Sequence, residues 1–291
     1  MLAAGRSPKQ LLKQPATHQI REILNPILLV HKFRGFFIIA LDNISLASTR
    51  DANTGTENLL VQQPNFLNKL WSGEPIVTLP QSSDVPLMDD HGHLVKGYPT
   101  IFSGAPIKDE HNNIIAVITL RIDPFLSFTQ VLQRGQVGNS GETYAFNANG
   151  IMISNSRFDH QLQQQNKLSG HDISMLKIKL NVPPDSQLSN LSKSDKSSNL
   201  AFTFIFLQAV QGKDGDNLTG YPDYRGIKVA GAWAWVKELK LGLTTEQGFN
   251  EALKPLHTSR IFFILFCMII IIGFILSTAI FALKKKIRKR N

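Results

Sequence analysis

Thr143-Tyr144-Ala145-Phe146-Asn147-Ala148-Asn149-Gly150-Ile151-Met152-Ile153-Ser154 reads as two short apolar strands around a tight turn. Asn149-Gly150 is a strong turn dipeptide because both residue types tolerate the left-handed backbone region. Two strands alone cannot bury their apolar face, and the chain offers partners at 227–236 and 241–246, a pair joined by a short turn. The same layout occurs upstream. An apolar hairpin candidate, 36–46 followed by a turn at 51–55, opens a first segment; strands at 100–107 and 114–123, joined by a turn at 109–113, close it. A short helix follows each closing pair, one starting at Pro124, a residue favoured at a helix's first position, and one near Phe249.

The middles of the two segments differ. The first holds a helical fragment at 66–71. The second holds a polar helix near 161–167 and a Ser-rich stretch from 183 to 198, which reads as an exposed loop. Ahead of both, Ile20, Ile23, Leu24, Ile27 and Leu28 make an apolar helical stripe interrupted by Pro26, expected to pack along both segments. The predicted fold class is α+β: two modules with antiparallel sheets on a long N-terminal helix, then one transmembrane helix. The expected boundaries are 1–34 for the N-terminal helical segment, 35–135 and 136–257 for the modules, 261–283 for the membrane helix and 284–291 for a basic tail.

Residues 261–283 are 23 positions without a charge, and sixteen of them are Ile, Leu or Phe. As a helix they measure about 34 Å, enough to cross a hydrocarbon core of about 30 Å. The cluster Lys284, Lys285, Lys286, Arg288, Lys289 and Arg290 directly after this run places the tail in the cytoplasm by the positive-inside rule, and residues 1–260 outside. That cluster also accounts for most of the +9 net charge, because the rest of the chain has 25 basic against 22 acidic residues. No nucleic-acid partner is needed to explain it. The one cysteine, Cys267, lies inside the apolar run, so no disulfide or Cys-based zinc site forms within one chain. The N-terminal part offers no recognisable secretory signal; the expectation is a chain that lacks its natural beginning and that, with no output domain of its own, either works with a partner or is a fragment.

Gly138-Asn139-Ser140-Gly141-Glu142-Thr143-Tyr144-Ala145-Phe146 and Asn149-Gly150 resemble the opening of a membrane-proximal Cache module, a PAS-like fold. Asp223-Tyr224-Arg225-Gly226, Val229-Ala230-Gly231 and Gly242-Leu243-Thr244-Thr245-Glu246 resemble its closing strands. Ala105-Pro106-Ile107-Lys108-Asp109 through Ile122-Asp123-Pro124 looks like the end of the membrane-distal module. The resemblance covers roughly residues 20–255 and is to double-Cache sensor domains of bacterial receptors. It implies a non-enzymatic ligand-sensing domain in signal transduction, on the outer side of a bacterial inner membrane, with a small-molecule ligand, the lipid bilayer and a homodimer mate or a cytoplasmic signalling protein as partners, and no cofactor. It further implies a membrane-distal pocket bounded by residues 98–105 and the helix at 66–71, with Trp71, Tyr98, Thr100, Phe102 and Ser103 as candidate ligand contacts. Tyr144, Tyr224 and Arg225 are secondary pocket candidates. Amino-acid-binding members carry an Arg-x-Trp-Tyr cluster and a late Asp that grips the ammonium. This chain lacks the cluster and has Ile118 at the position assigned to the Asp, which argues against an amine ligand.

Other chemistry has thinner support. Ser140 in its Gly-flanked segment could be a nucleophile, which would make the protein a membrane-tethered hydrolase, but no motif supplies a base. An envelope adhesion or structural domain is the third reading. Asp89-Asp90-His91-Gly92-His93 lacks the spacing of a zinc site, and Asp214-Gly215-Asp216-Asn217 lacks the length of a calcium loop; both read as solvated turns. Trp233 and Trp235 alternate on one strand and should pack together on one face.

Overall fold

A computed structural model describes residues 7–83, 85–89, 92–170, 172–183 and 202–288. Most of the Ser-rich stretch, together with Asp90 and His91, lies outside the described residues. The chain begins with α1 (Pro8–Leu12) and α2 (Pro15–His31), which continues through Pro26 and stops where Lys32 turns into the left-handed region at φ 55°. Next come β1 (Gly35–Ala40), β2 (Ser45–Ser48), α3 (Pro64–Trp71) and four two-residue strands: β3 (Ile76–Val77), β4 (Gln81–Ser82), β5 (Leu87–Met88) and β6 (Leu94–Val95). The long pair β7 (Pro99–Lys108) and β8 (Ile114–Ile122) leads into a π-helical turn at Phe125–Thr129 and α4 (Gln130–Gln133). The second half contains β9 (Glu142–Asn147), α5 (Asp159–Gln164), α6 (Phe204–Ala209), β10 (Gly215–Pro222), β11 (Lys228–Val236) and β12 (Leu241–Gly248). Helix α7 (Phe249–Arg288) follows β12 directly.

Both main sheets are antiparallel and share a strand order. The first runs β2-β1-β8-β7-β3 with β4 alongside β7; the second runs β9-β12-β11-β10. In each, the opening strand pairs with the last strand and the last with the one before it. The first sheet is covered on both faces. Leu11, Leu28, Phe36, Ile38 and Ala116 pack on its α2 side, and Phe37, Ile39, Leu60, Leu67, Leu70 and Phe102 on its α3 side. The period-two alternation of β8 makes this possible: Val117 joins the α3 side while Ile118 and Leu120 pack toward α2. In the second half, Tyr144, Phe146, Met152, Leu162, Phe206 and Trp233 form the largest core, with Trp235 against its edge.

Four expectations change. The N-terminal stripe divides: Ile20, Leu24 and Leu28 pack on the first sheet, whereas Ile23 and Ile27 are exposed at 66% and 42%. The opening hairpin turns at Asn43, φ 65°, between β1 and β2, and not at 51–55. The second arm of the 143–154 hairpin makes only isolated bridges, Phe146 to Met152 and Ile151 to Lys179. Its turn is stapled by the Asn147 side chain, whose Oδ1 accepts from the N–H groups of Asn149 and Ile151. Finally, the Asp214–Asn217 stretch leads into β10. Asp214 Oδ1 accepts from the Trp235 N–H, and the register breaks between Asn217 and Tyr221, a bulge that hides the strand's period from the sequence.

Candidate functional site

The α3 face of the first sheet is where the sequence places a ligand. Thr100, Phe102 and Gly104 alternate toward it along β7, and α3 lies directly on them. A Cβ at Gly104 would stand 2.7 Å from Leu70 Cδ1 and 3.1 Å from Phe66 Cζ, so the helix reaches the strand backbone there. Phe102, 1% exposed, fills the centre against Phe37 and Leu70. The Arg121 guanidinium sits 5.0 Å from the Phe102 ring centre and 5.8 Å from that of Phe37, and it donates to Ser83 Oγ at 3.0 Å. Thr100 is buried, with its hydroxyl toward the Ile122 carbonyl, and Trp71 packs half-buried at the end of α3. Ser103 points to the other face, half-buried. Ile118 also lies on that other face, so a carboxylate there would point toward α2 and not into an α3-side pocket.

Open space begins at Tyr98, just before β7. A cleft of about 640 Å³ runs from there to the second half of the chain. One wall is Ser82, Asp89, Lys96, Tyr98 and Phe125; the other is Asn155, Asp159, His160 and Gln163 at α5, with the segment from Asp172 to Lys177. The Tyr98 ring is fixed from behind by Phe125, centroid to centroid 6.0 Å, and by the Arg34 guanidinium at 5.8 Å. Arg34 is in turn ion-paired to buried Asp123. Asp159 accepts from Asn155 Nδ2 at 2.8 Å and from the Ser174 N–H at 3.3 Å; burial raises its pKa and these bonds oppose the rise. Asp89 holds His93 through its backbone N–H and ring, and Lys177 pairs with Asp172. Of the five distal candidates, Tyr98 alone lines this cleft. Sequence reasoning missed the far wall, because the 155–177 segment is far in sequence from Tyr98 and has no motif.

The secondary candidates converge. Tyr144 and Tyr224 meet edge to face at 5.4 Å, and the Tyr224 hydroxyl donates to Glu142 Oε2 at 2.6 Å. Glu142 Oε1 accepts from Ser156 Oγ at 2.6 Å and the Arg157 N–H at 2.9 Å. Arg225 donates through Nε and Nη2 to Asp223 Oδ2, both at 2.7 Å, and its guanidinium lies 3.7 Å from the Phe158 ring centre. Tyr144 donates to Glu246 Oε2 at 3.0 Å. Glu142, Tyr144, Ser156, Asp223, Tyr224, Arg225 and Glu246 are each at least nine-tenths buried, whereas Phe158 is half-buried and Arg157 exposed. Burial raises the pKa of Glu142, and burial together with the Asp223 charge pushes Glu246 up to about 8.

Three residues beyond β12, at Glu251, the first turn of α7 is clamped to the 138–140 loop. Glu251 accepts from the N–H of Asn139 at 2.9 Å and of Ser140 at 2.8 Å, and from the Ser140 hydroxyl. These bonds hold its carboxyl at about 2, far too weak a base to activate a serine; the Ser140 oxygen also accepts from the Gly248 N–H. Ser140 is thus a structural tie between loop and helix. Beyond this clamp, Phe249–Phe281 is long and apolar enough to cross a membrane, with none of its apolar window buried. Among the described residues, no cluster of His, Cys, Asp and Glu is placed to hold a metal.

No family model and no curated protein matches the chain. Solved structures do. The periplasmic sensory domain of the Campylobacter jejuni chemoreceptor Tlp1 is 12% identical with a TM-score of 0.46, over 86% of this chain and 84% of that one. The sensor domain of the V. cholerae histidine kinase DctB is 14% identical with a TM-score of 0.43, over 82% of each. The ligand-binding domain of the Pseudomonas aeruginosa amino-acid chemoreceptor PctB, in complex with L-Arg, is 10% identical with a TM-score of 0.45, over 83% and 81%.

Proposed function

We propose that the chain is the sensing part of a membrane receptor. Residues 35–135 form its membrane-distal module and residues 136–257 its membrane-proximal one. Residues 261–283 cross the inner membrane of a bacterial cell with the basic tail inside. The observation that carries this reading is the cleft at Tyr98: both halves of the chain wall it, and one of them runs from β12 into α7 without a break. A ligand that binds one relative placement of the two walls better than another shifts the population between them, and α7 moves with the second wall. A helix whose apolar side chains are exposed along its length needs lipid around it.

The cleft also bears on ligand class. Asp89 and Lys96 on one wall and Asp159, Asp172 and Lys177 on the other give the cleft charges of both signs, a lining suited to small polar or zwitterionic molecules, amines included. With Ile118 on the α2 side, the case against an amine loses its geometric basis. The test is a thermal-shift screen of the full chain in nanodiscs against organic acids, sugars, nucleobases, amino acids and amines. A ligand at 100 times its dissociation constant adds about 2.7 kcal/mol, a shift of roughly 5–10 °C for a domain of this size. The shift should disappear in His160→Ala and Gln163→Ala, which alter the cleft wall at little cost to folding. A hit that survives both but is lost on Trp71→Ala would move the site to α3 and overturn the cleft assignment.

A further inference from the structure

Glu142 and Glu246 stand directly opposite each other on β9 and β12. Both point into the core and are 1% and 2% exposed. Like charges directly opposite on neighbouring strands repel, and burial removes the water that would screen them. Among the described residues, Arg225 is the one buried cation near the pair, and it compensates only in part. From the turn after β10 come Asp223, Tyr224 and Arg225; the Arg225 guanidinium is already bonded to Asp223. From β9 comes Tyr144 and from β10 Tyr221, both neutral phenols whose pKa is raised by burial. Lys167 spends its ammonium on the Tyr224 carbonyl. Arg157 reaches Glu142 only through its backbone N–H, and its guanidinium donates to the Gly141 carbonyl. Three buried carboxyls therefore share one buried guanidinium.

The donors are divided unequally. Glu142 accepts three bonds, from Ser156, Tyr224 and the Arg157 N–H, as an ionised carboxylate requires. Glu246 accepts one bond of good geometry, from Tyr144; its Oε1 and the Tyr221 hydroxyl are buried beside each other without a well-formed hydrogen bond, close enough for each to act on the other's titration. Gly231 keeps those two groups close, because a Cβ there would stand 2.5 Å from the Tyr221 oxygen and 2.9 Å from Glu246 Cγ. An oxygen left without a well-formed bond is where a carboxyl proton belongs, since the proton gives it a donor's role in place of an acceptor's.

We propose that Glu142 and Glu246 hold a single proton between them, carried on Glu246, and that its release destabilises the second half of the chain, making proton concentration an input to the body that carries α7. The proton-holding stands on the pair alone; its use as an input rests on the sensing reading. The sign follows from the raised folded pKa. Between the unfolded value of 4.5 and about 8, the folded chain keeps a proton that the unfolded chain releases, so stability falls as pH rises through this window. Glu142, shifted the same way, adds to the trend. The two carboxyls titrate as a pair, so a measured midpoint belongs to both.

Infrared titration of the folded full chain in detergent tests the proposal. A protonated-carboxyl C=O band should persist at neutral pH, vanish with a midpoint near pH 8 and be missing in Glu246→Gln. The thermal midpoint of the wild type should fall from about pH 5 to about pH 8; Glu246→Gln, whose amide imitates the protonated acid, should flatten that fall. If Glu246→Gln does not fold, Glu142→Gln decides: removing the opposing charge should move the band's midpoint to lower pH. No alkaline-midpoint band in the wild type, an unchanged band in Glu246→Gln, or an unmoved midpoint in Glu142→Gln would each overturn the proposal. A failed ligand screen would leave these readouts untouched.

Discussion

Against α3, the opening and closing strands of the first sheet present Phe37, Ile39 and Val117, with Phe102 beside them. On the strands that occupy the same places in the second sheet stand Glu142, Tyr144, Thr244 and Glu246, with Tyr221 and Tyr224 over them. One strand order thus carries two kinds of interior. Hydrocarbon packing stabilises through the area taken from water and is indifferent to pH. A polar interior stabilises only while each donor and acceptor is matched and each charge is offset, so its contribution depends on protonation. The half that opens into α7 is the one with the conditional interior.

The difference can be broken first at Phe102. Phe102→Ala leaves a cavity in the apolar half and should cost about 3–5 kcal/mol in denaturant unfolding. The loss should be equal at about pH 6 and about pH 9; a loss that changed with pH would undo the contrast. Tyr224→Phe, which removes the donor to Glu142 Oε2, should cost about 1.5–3 kcal/mol. That cost should grow as pH rises, because the ionised form of Glu142 needs the donor most. Gly138→Ala probes the clamp on α7. Its φ of 63° is left-handed and its Cβ would stand 2.4 Å from Glu251 Oε1, so the substitution should cost about 1–2 kcal/mol. The smallest effect should come from Glu251→Gln. With its folded pKa lowered to about 2, Glu251 contributes stability above 4.5 that is lost as pH falls toward 2. The variant should flatten the acid limb of the stability profile and leave the alkaline limb unchanged.

Much of this architecture is legible in the sequence. The long strands β7, β8, β11 and β12 announce themselves by apolar runs between Gly and Asn turns, and α7 by an uncharged stretch that no soluble core would need. Strand β10 escapes because Gly215, Asp216, Asn217 and Gly220 are poor strand formers held in place by pairing with β11. Helix α6 escapes because its six residues are too few to show a period. The site was partly legible. Tyr98 and Tyr144 could be picked out through the family resemblance, and Tyr224 with Arg225 because a polar aromatic stands close to Gly226. The far wall of the cleft and the Glu142–Glu246 pairing could not, since both depend on register and on contacts across scores of residues. Ile118 shows the cost of a one-residue misjudgement on a strand, where it reverses the face.

Amide hydrogen exchange of the full chain in nanodiscs, compared at about pH 6 and about pH 9 after correction for intrinsic rates, sets the two interiors side by side. Residues 142–147 and 241–251 should lose protection at the higher pH, so that the change reaches the clamp at the root of α7, while residues 99–108 and 114–122 hold theirs. Equal loss in both halves, or a second half that does not respond, would contradict the claim that the ionisable interior is the responsive one.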